Sequence, residues 1–343
     1  MKRILLLFAF AGVAICGCTF DIFKAEAPKR QFWSDDNPLL YGDVESVTEK
    51  VIRFENKFGE IVQSDAELLR KYRFNNAGDV VEKVDYGSWL RRAIYTYDSM
   101  GNLIEEELYK DDGSSNGKRT YKYDSNGNLL EQLDYLSDGT LREQFVYKYD
   151  SSGNKIECLW GSLMGFGTEA GWTSDKHYYV YDSNGNMTED VRCSSVGSFE
   201  GKEVYKYDSS GNKIESATYH SDGSLGSKTI YKYDSKGNLI EEASYNWGGS
   251  LTGKIIYKYD SQGNEIERAK YNSDGLLDWK HTSNFDSNGN LIEKASYNSD
   301  GSLNSKDTYQ YEYDSKGNAI QKKWLNGELL EPKTQIIWEI TYR

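Results

Sequence analysis

Tyr121–Tyr135 reads YKYDSNGNLLEQLDY, and the phrase returns as YKYDSSGNKIE from Tyr147, YKYDSKGNLIE from Tyr231 and YKYDSQGNEIE from Tyr257. The glycine of each copy marks a period: Gly78, Gly101, Gly127, Gly153, Gly185, Gly211, Gly237, Gly263, Gly289 and Gly317. Successive differences are 23, 26, 26, 32, 26, 26, 26, 26 and 28 residues. Ten units therefore follow one another, with a degraded eleventh around Phe54 and Gly59. Self-similarity at a fixed period is the signature of a repeat architecture.

A unit typically holds two tetrads of the form polar-Ser-x-Gly, such as Asp124-Ser125-Asn126-Gly127 and Asn298-Ser299-Asp300-Gly301. Such a tetrad suits a type I turn whose glycine is left-handed, giving a three-residue hairpin loop with a G1 bulge. A unit is then two antiparallel strands, expected to be about 11 and 9 residues long. Simple alternation groups Leu225, Tyr231, Tyr233, Leu239, Glu241, Ala243 and Tyr245 on one face of the Gly237 unit. Lys228, Ile230, Lys232, Ile240, Glu242 and Ser244 fall on the other. A slip of two residues per unit, added to the natural twist of a sheet, predicts an all-β fold. The expected architecture is a continuous antiparallel meander of about twenty strands, coiling into a superhelical solenoid or open shell.

The Tyr-x-Tyr-Asp-x-x-Gly-Asn-Leu phrase resembles the YD repeat of the RHS (rearrangement hot spot) family, over roughly Phe54 to Gly317. That resemblance implies antiparallel strands coiling into a shell, a cell-surface or secreted location, and in some members carbohydrate binding or toxin enclosure. The toxin-carrying members end their shell in a segment with Asp-Pro-x-Gly. This chain has no Asp-Pro, so toxin enclosure is not expected here.

Composition agrees with an exported β protein. The 343 residues include 28 Tyr, 12 Phe and 8 Trp but only 3 Pro, at Pro28, Pro38 and Pro332. A long stretch without proline suits hydrogen-bonded ladders, to which proline cannot donate. A net charge of -13 with no block of Lys or Arg excludes nucleic acid as a partner, because phosphate binding needs a basic stripe. The opening MKRILLLFAFAGVAICGC couples a basic start to an apolar run too short to span a bilayer, as a signal peptide does. Its end, Ile15-Cys16-Gly17-Cys18, resembles the lipobox of bacterial lipoproteins, which implies acylation of Cys18 and a membrane contact through the N-terminal lipid. The expected organisation is a leader over 1–17, a lipidated cysteine and tether over 18–48, and the repeat domain with a C-terminal capping strand over 49–343. The expected location is the cell envelope, at the outer membrane, on the lipid anchor.

Candidate sites are few. Glutamate recurs four residues after the turn glycine, from Glu82 through Glu105, Glu131 and Glu157 to Glu293. Paired acids can hydrolyse glycosides, but that chemistry needs two carboxyls in different environments, and these are near-equivalent. A ladder of Tyr hydroxyls donating to Glu is the structural expectation. The DSNGN turns place glycine fourth rather than sixth, unlike an EF-hand loop, and His177, His220 and His281 never approach zinc spacing. No cofactor is expected. The Gly153 unit carries six extra residues within CLWGSLMGFGTEAGW, where Trp160, Phe166 and Trp172 are candidate ligand-binding residues. Loops on a rigid scaffold are where binding concentrates. The expected function is a non-catalytic binding or adhesive role toward polysaccharide or a surface protein; a structural envelope spacer and an extracellular glycosidase are the alternatives. Cys158 and Cys193 fall on opposite faces of the frame, which predicts two thiols and no disulfide.

Overall fold

A computed structural model describes residues 40, 42–58, 60–87, 92–164, 171–287, 289–327 and 331–343. These form 23 antiparallel strands numbered in chain order. Most wall strands hold 7 to 9 residues, as in β15 (Leu225–Tyr233), β16 (Leu239–Asn246) and β17 (Leu251–Tyr259).

The turns form as their chemistry requires. In the Gly127 turn the Gly127 N–H donates to Asp124 O at 3.1 Å and the Asp124 N–H donates to Asn128 O at 2.9 Å. Gly127 has φ +82°, a left-handed conformation that glycine adopts without steric penalty. Asp124 Oδ1 accepts from the N–H groups of Asn126 and Asn128, and Oδ2 accepts from the Asn128 side-chain amide. The Asp and Asn of the repeat are therefore occupied as turn-builders, and the same three bonds recur at Asp98, Asp150, Asp182, Asp208, Asp234 and Asp260.

Beyond each turn lies a second irregularity that simple alternation does not foresee. Tyr233 pairs with Leu239, but Lys232 pairs with Glu241, so Ile240 is an extra residue on β16. A one-residue bulge moves every later side chain to the opposite face. Tyr231 consequently faces Glu242, while Glu241, Ala243 and Tyr245 share the other face with Lys232, Ile230 and Lys228. The expected grouping of Glu241, Ala243 and Tyr245 with the tyrosines is thus corrected. The bulge also explains a tyrosine of the repeat. The Tyr233 hydroxyl donates to Lys213 O and the Tyr259 hydroxyl to Leu239 O, each reaching the residue just before the extra one in the preceding unit.

The sheet does not stay open. β1 (Val44–Lys57) pairs with β3 (Glu67–Phe74) on one side and with β23 (Glu331–Tyr342) on the other. The short β2 (Glu60–Gln63) pairs with the far end of β1 alone. The result is a closed 22-strand barrel, and the expectation of a superhelical solenoid or open shell is overturned. At the seam Val47 faces Ile340, Glu49 faces Trp338 and Val51 faces Ile336. Val47 is 0%, Glu49 1% and Trp338 2% exposed. Closure leaves no edge strand in the wall. The strand begins at Val44, so Val44–Thr48 of the stretch read as a tether lie in the wall.

Candidate functional site

One face of a closed sheet is concave, and side chains converge there. Along β1, Val47, Glu49 and Val51 are buried whereas Thr48 and Lys50 are only partly so. Following the register round the wall, the face of Val47 is that of Tyr72, Tyr95, Tyr147, Tyr231 and Tyr257. This aromatic face lines the lumen. Among the described strands, Cα atoms approach within 8 Å only between neighbours round the wall. With 22 strands at ~4.8 Å spacing the perimeter exceeds ~100 Å, and a circular lumen would be ~30 Å or more across.

The outer wall is charged. Lys206 pairs with Glu215 at 2.8 Å, Lys232 with Glu241 at 2.6 Å, Lys258 with Glu267 at 2.8 Å and Lys148 with Glu157 at 3.1 Å. These are the recurrent glutamates. They lie opposite lysines rather than beneath tyrosine hydroxyls, which corrects the expected Tyr–Glu ladder. Tyrosines do bond to carboxylates, but to different ones: Tyr257 to Glu242 at 2.5 Å and Tyr205 to Glu203 at 2.7 Å. A barrel that crosses a bilayer presents an outward apolar band ~25 Å tall. Rows of Lys–Glu pairs interrupt the outer face among the described residues. A closed β-barrel remains compatible with an envelope or outer-membrane location.

The lumen wall mixes rings with charge. The Lys213 ammonium lies 5.3 Å and 5.1 Å from the ring centres of Tyr205 and Tyr231, and burial there pushes its pKa down. Lys155 sits likewise 5.4 Å and 5.1 Å from the rings of Tyr147 and Tyr179. Burial raises the Tyr205 and Tyr231 hydroxyls above their ordinary value. Arg119 bonds to Asp134 and lies 2.9 Å from Glu106, while Arg142 reaches Asp134 at 2.9 Å. The Asp134 bond is the main reason the Arg119 guanidinium is held still more firmly protonated.

The sector of the sequence candidates lies on β9 (Leu141–Tyr149), β10 (Lys155–Met164) and β11 (Gly171–Tyr181). Trp160 stands on the lumen face opposite Phe145 and Asp175, and it is half-buried. Cys158 lies between Tyr147 and His177, and His177 Nδ1 is 2.7 Å from Asp190 Oδ1. The rings of Phe145 and Tyr147 stack at 6.4 Å, and those of His177 and Tyr179 at 6.2 Å. Phe145, Tyr147 and Tyr179 are buried in this packing, so Trp160 offers the accessible ring. Phe166 lies outside the described residues. Trp172 pairs through its backbone with Leu163, and its side chain is outside the described residues. Cys18 is also outside them. Cys158 and Cys193 form no disulfide: Cys158 faces the lumen, Cys193 lies opposite Lys176 on the outer wall, and both are buried. Their faces are the reverse of those expected, because each follows an Asp-x-x-Gly turn whose bulge turns the strand over.

Sequence reading missed a second sector. In the Gly289 unit the repeat's Tyr-Lys-Tyr-Asp becomes Ser283-Asn284-Phe285-Asp286, which puts Trp279, His281 and Lys294 on a stretch of lumen wall lacking the usual tyrosines. The signal was a departure from the consensus rather than a motif. Among the described residues no three His, Cys, Asp or Glu side chains group to hold a metal ion.

No family model matches the chain, and no curated protein matches it. Solved structures similar to it include TcdB2-TccC3 without its hypervariable C-terminal region, 13% identical over 83% of this chain and 18% of that one, with a TM-score of 0.32. The chain thus spans under a fifth of that relative's length. A porin-like protein from Bacteroides uniformis is 10% identical over 65% of this chain and 96% of its own, with a TM-score of 0.33. A porin-like protein from Bacteroides vulgatus is 11% identical over 74% and 94%, with a TM-score of 0.25. Scores this low mark distant likenesses, and nothing about function is drawn from them.

Proposed function

We propose that this protein is a YD-repeat lipoprotein of the RHS type, held at the outer membrane through a lipid on Cys18, with a non-catalytic binding or adhesive role. Its partner is a polysaccharide or a surface protein. The observation that carries this reading is the half-buried Trp160 ring on the lumen face, opposite Asp175. An accessible ring beside hydrogen-bonding groups on rigid strands is the composition of a recognition surface. The repeated glutamates support a non-catalytic role, since most of them are matched to a lysine in a similar setting. Catalysis by two carboxyls requires environments that push their pKa values apart.

A glycan array probed with the mature protein beside Trp160→Ala and Trp172→Ala tests the reading. Binding that either substitution weakens supports it. Binding to no glycan and no surface protein leaves the envelope spacer instead. The anchor is tested separately by mass spectrometry of the membrane fraction. The expected N-terminal peptide starts at Cys18 and carries diacylglycerol; unmodified protein in the medium overturns the anchor.

A further inference from the structure

A ring of tyrosines runs round the lumen at the position six residues before each turn glycine, and it is broken at one unit of the ten, where Ser283 stands. The register shows what that ring does elsewhere. Tyr257 faces Arg268, whose guanidinium lies 5.3 Å from the ring centre. In the Gly289 unit the equivalent pair is Ser283 and Lys294. With no ring over it Lys294 is exposed, and it makes no ion pair or hydrogen bond among the described residues.

Beside it on β19 (Leu277–Phe285), Trp279 and His281 have ring centres 4.8 Å apart, tilted by 50°, and both are half-buried. His281 faces Arg268 of β18 (Glu265–Asn272) on one side and Ser296 of β20 (Leu291–Tyr297) on the other. Trp279 Nε1, the His281 ring nitrogens and Ser283 Oγ have no hydrogen-bond partner among the described residues. Charges facing the notch are accounted for in turn. Arg268 is held by Glu265 at 2.9 Å and Lys270 by Asp278 at 3.3 Å. Asp307, opposite Lys294, accepts from Trp324 Nε1 at 2.8 Å. Asp307 keeps its negative charge, since an indole N–H is a neutral donor, but it makes no ion pair with Lys294 among the described residues, and Lys294 remains the exposed ammonium of the notch. Burial, then Lys294 and Arg268, hold His281 below the usual imidazole range, so it is a neutral donor and acceptor at pH 7.

We propose that this notch is a subsite for an acidic sugar, a pyranose bearing a carboxylate. The sugar ring lies against Trp279, its carboxylate meets Lys294, and its hydroxyls meet Trp279 Nε1, His281 and Ser283. One lone ammonium matches one carboxylate; a phosphodiester chain needs a basic stripe. Charge-assisted bonds to an ammonium are the strong ones. The assignment deepens the polysaccharide reading given above and rests on it.

The test is calorimetry of the mature protein with oligogalacturonate, oligoalginate and the carboxyl-reduced form of each. An acidic oligomer should bind about tenfold or more tightly than its reduced form. Lys294→Gln should abolish that preference, and Ser283→Tyr should abolish binding by restoring the consensus ring over the notch. Asp307→Asn should strengthen binding, and Lys258→Gln on the outer wall should leave it unchanged. Because Ser283→Tyr installs the residue of the other units, its loss of binding is read beside an unchanged melting temperature. Wild-type affinity for acidic oligomers in both Lys294→Gln and Ser283→Tyr overturns the proposal. Binding of neutral glycans that Trp160→Ala weakens, with no preference for acidic ones, overturns the notch and leaves the general binding reading standing. No binding to any oligosaccharide or array glycan overturns the notch together with the polysaccharide reading.

Discussion

Single residues repeated ten times carry most of the local order. In most units the tyrosine four residues before the turn glycine sends its hydroxyl to the carbonyl of the residue just before the bulge of the preceding unit, as Tyr207 does to Met187 O at 2.7 Å, while Tyr313 donates to Asp286 Oδ2 instead. Phe285 takes this position in the Gly289 unit and has no hydroxyl to offer Glu265 O. Phe285→Tyr should therefore stabilise the barrel by about 0.5–1.5 kcal/mol, the net value of one such bond, read as a higher urea midpoint. The turn aspartates set the response to acid. Asp98, Asp124, Asp150, Asp182 and Asp208 are held below the usual carboxylate range, first by the Asn side chain four residues on and then by backbone N–H groups. A carboxyl depressed by folding gives its full stabilisation above its unfolded pKa of ~3.9 and loses it as pH falls through the folded value. Stability should thus drop as pH falls below ~4. Asn246 performs the same turn with a neutral oxygen, accepting from Gly248 and Ser250 N–H at 3.0 Å. Asp208→Asn should accordingly lose less stability between pH 7 and pH 3 than the parent; an equal or greater loss would refute the assignment.

At the scale of the strand, the bulge is what sets the faces. The tetrads at each turn were legible because Asp, Ser, Asn and Gly declare their backbone preferences locally. The extra residue beyond the turn was not, because a bulge is defined by its partner strand. It sent Glu241 to the outer wall and Glu242 to the lumen. The strand after the second turn carries a bulge too, between Tyr109 and Leu108 against Ser115 and Gly117. Gly117 has φ +115°, and a Cβ there would stand 2.2 Å from Tyr135 O. That neighbour is backbone and cannot turn aside. Gly117→Ala should cost ~1–3 kcal/mol or more, whereas Gly139→Ala, with open space around it, should cost only the ~1–2 kcal/mol of its left-handed backbone. Chemical denaturation of both variants in parallel checks the order.

At the scale of the whole molecule, the seam between β1 and β23 decides the architecture. Trp338 packs there with Val44, Val47, Tyr72, Phe74 and Ala319. Trp338→Ala should cost about 3–5 kcal/mol, as for a buried aromatic. Trp247→Ala, at a residue 77% exposed, should stay within ~0.5 kcal/mol. A chain ending before Glu331 would leave β1 and β22 (Ala319–Asn326) with open edges, and exposed edges template association. Light scattering should find it aggregated where the full chain is monodisperse; a stable monomer would mean that the seam is dispensable.

The repeat, its period, its turn chemistry and its all-β antiparallel order could all be read from the amino-acid sequence, because each rests on residues within a few positions of one another. Trp160 was found in the same way, from an insertion that interrupts the period. Closure and face could not be read. Closure rests on pairs such as Val47 with Ile340, nearly the whole chain apart, and the same hairpins would serve an open coil equally well until the first and last strands meet. The face of each side chain depends on a one-residue bulge, and with a side-chain period of two a single extra residue is enough to turn a strand over. The notch at Ser283 lay between these limits. Its missing tyrosines were visible in the sequence, but only the register brought Lys294, His281 and Trp279 to the gap they leave.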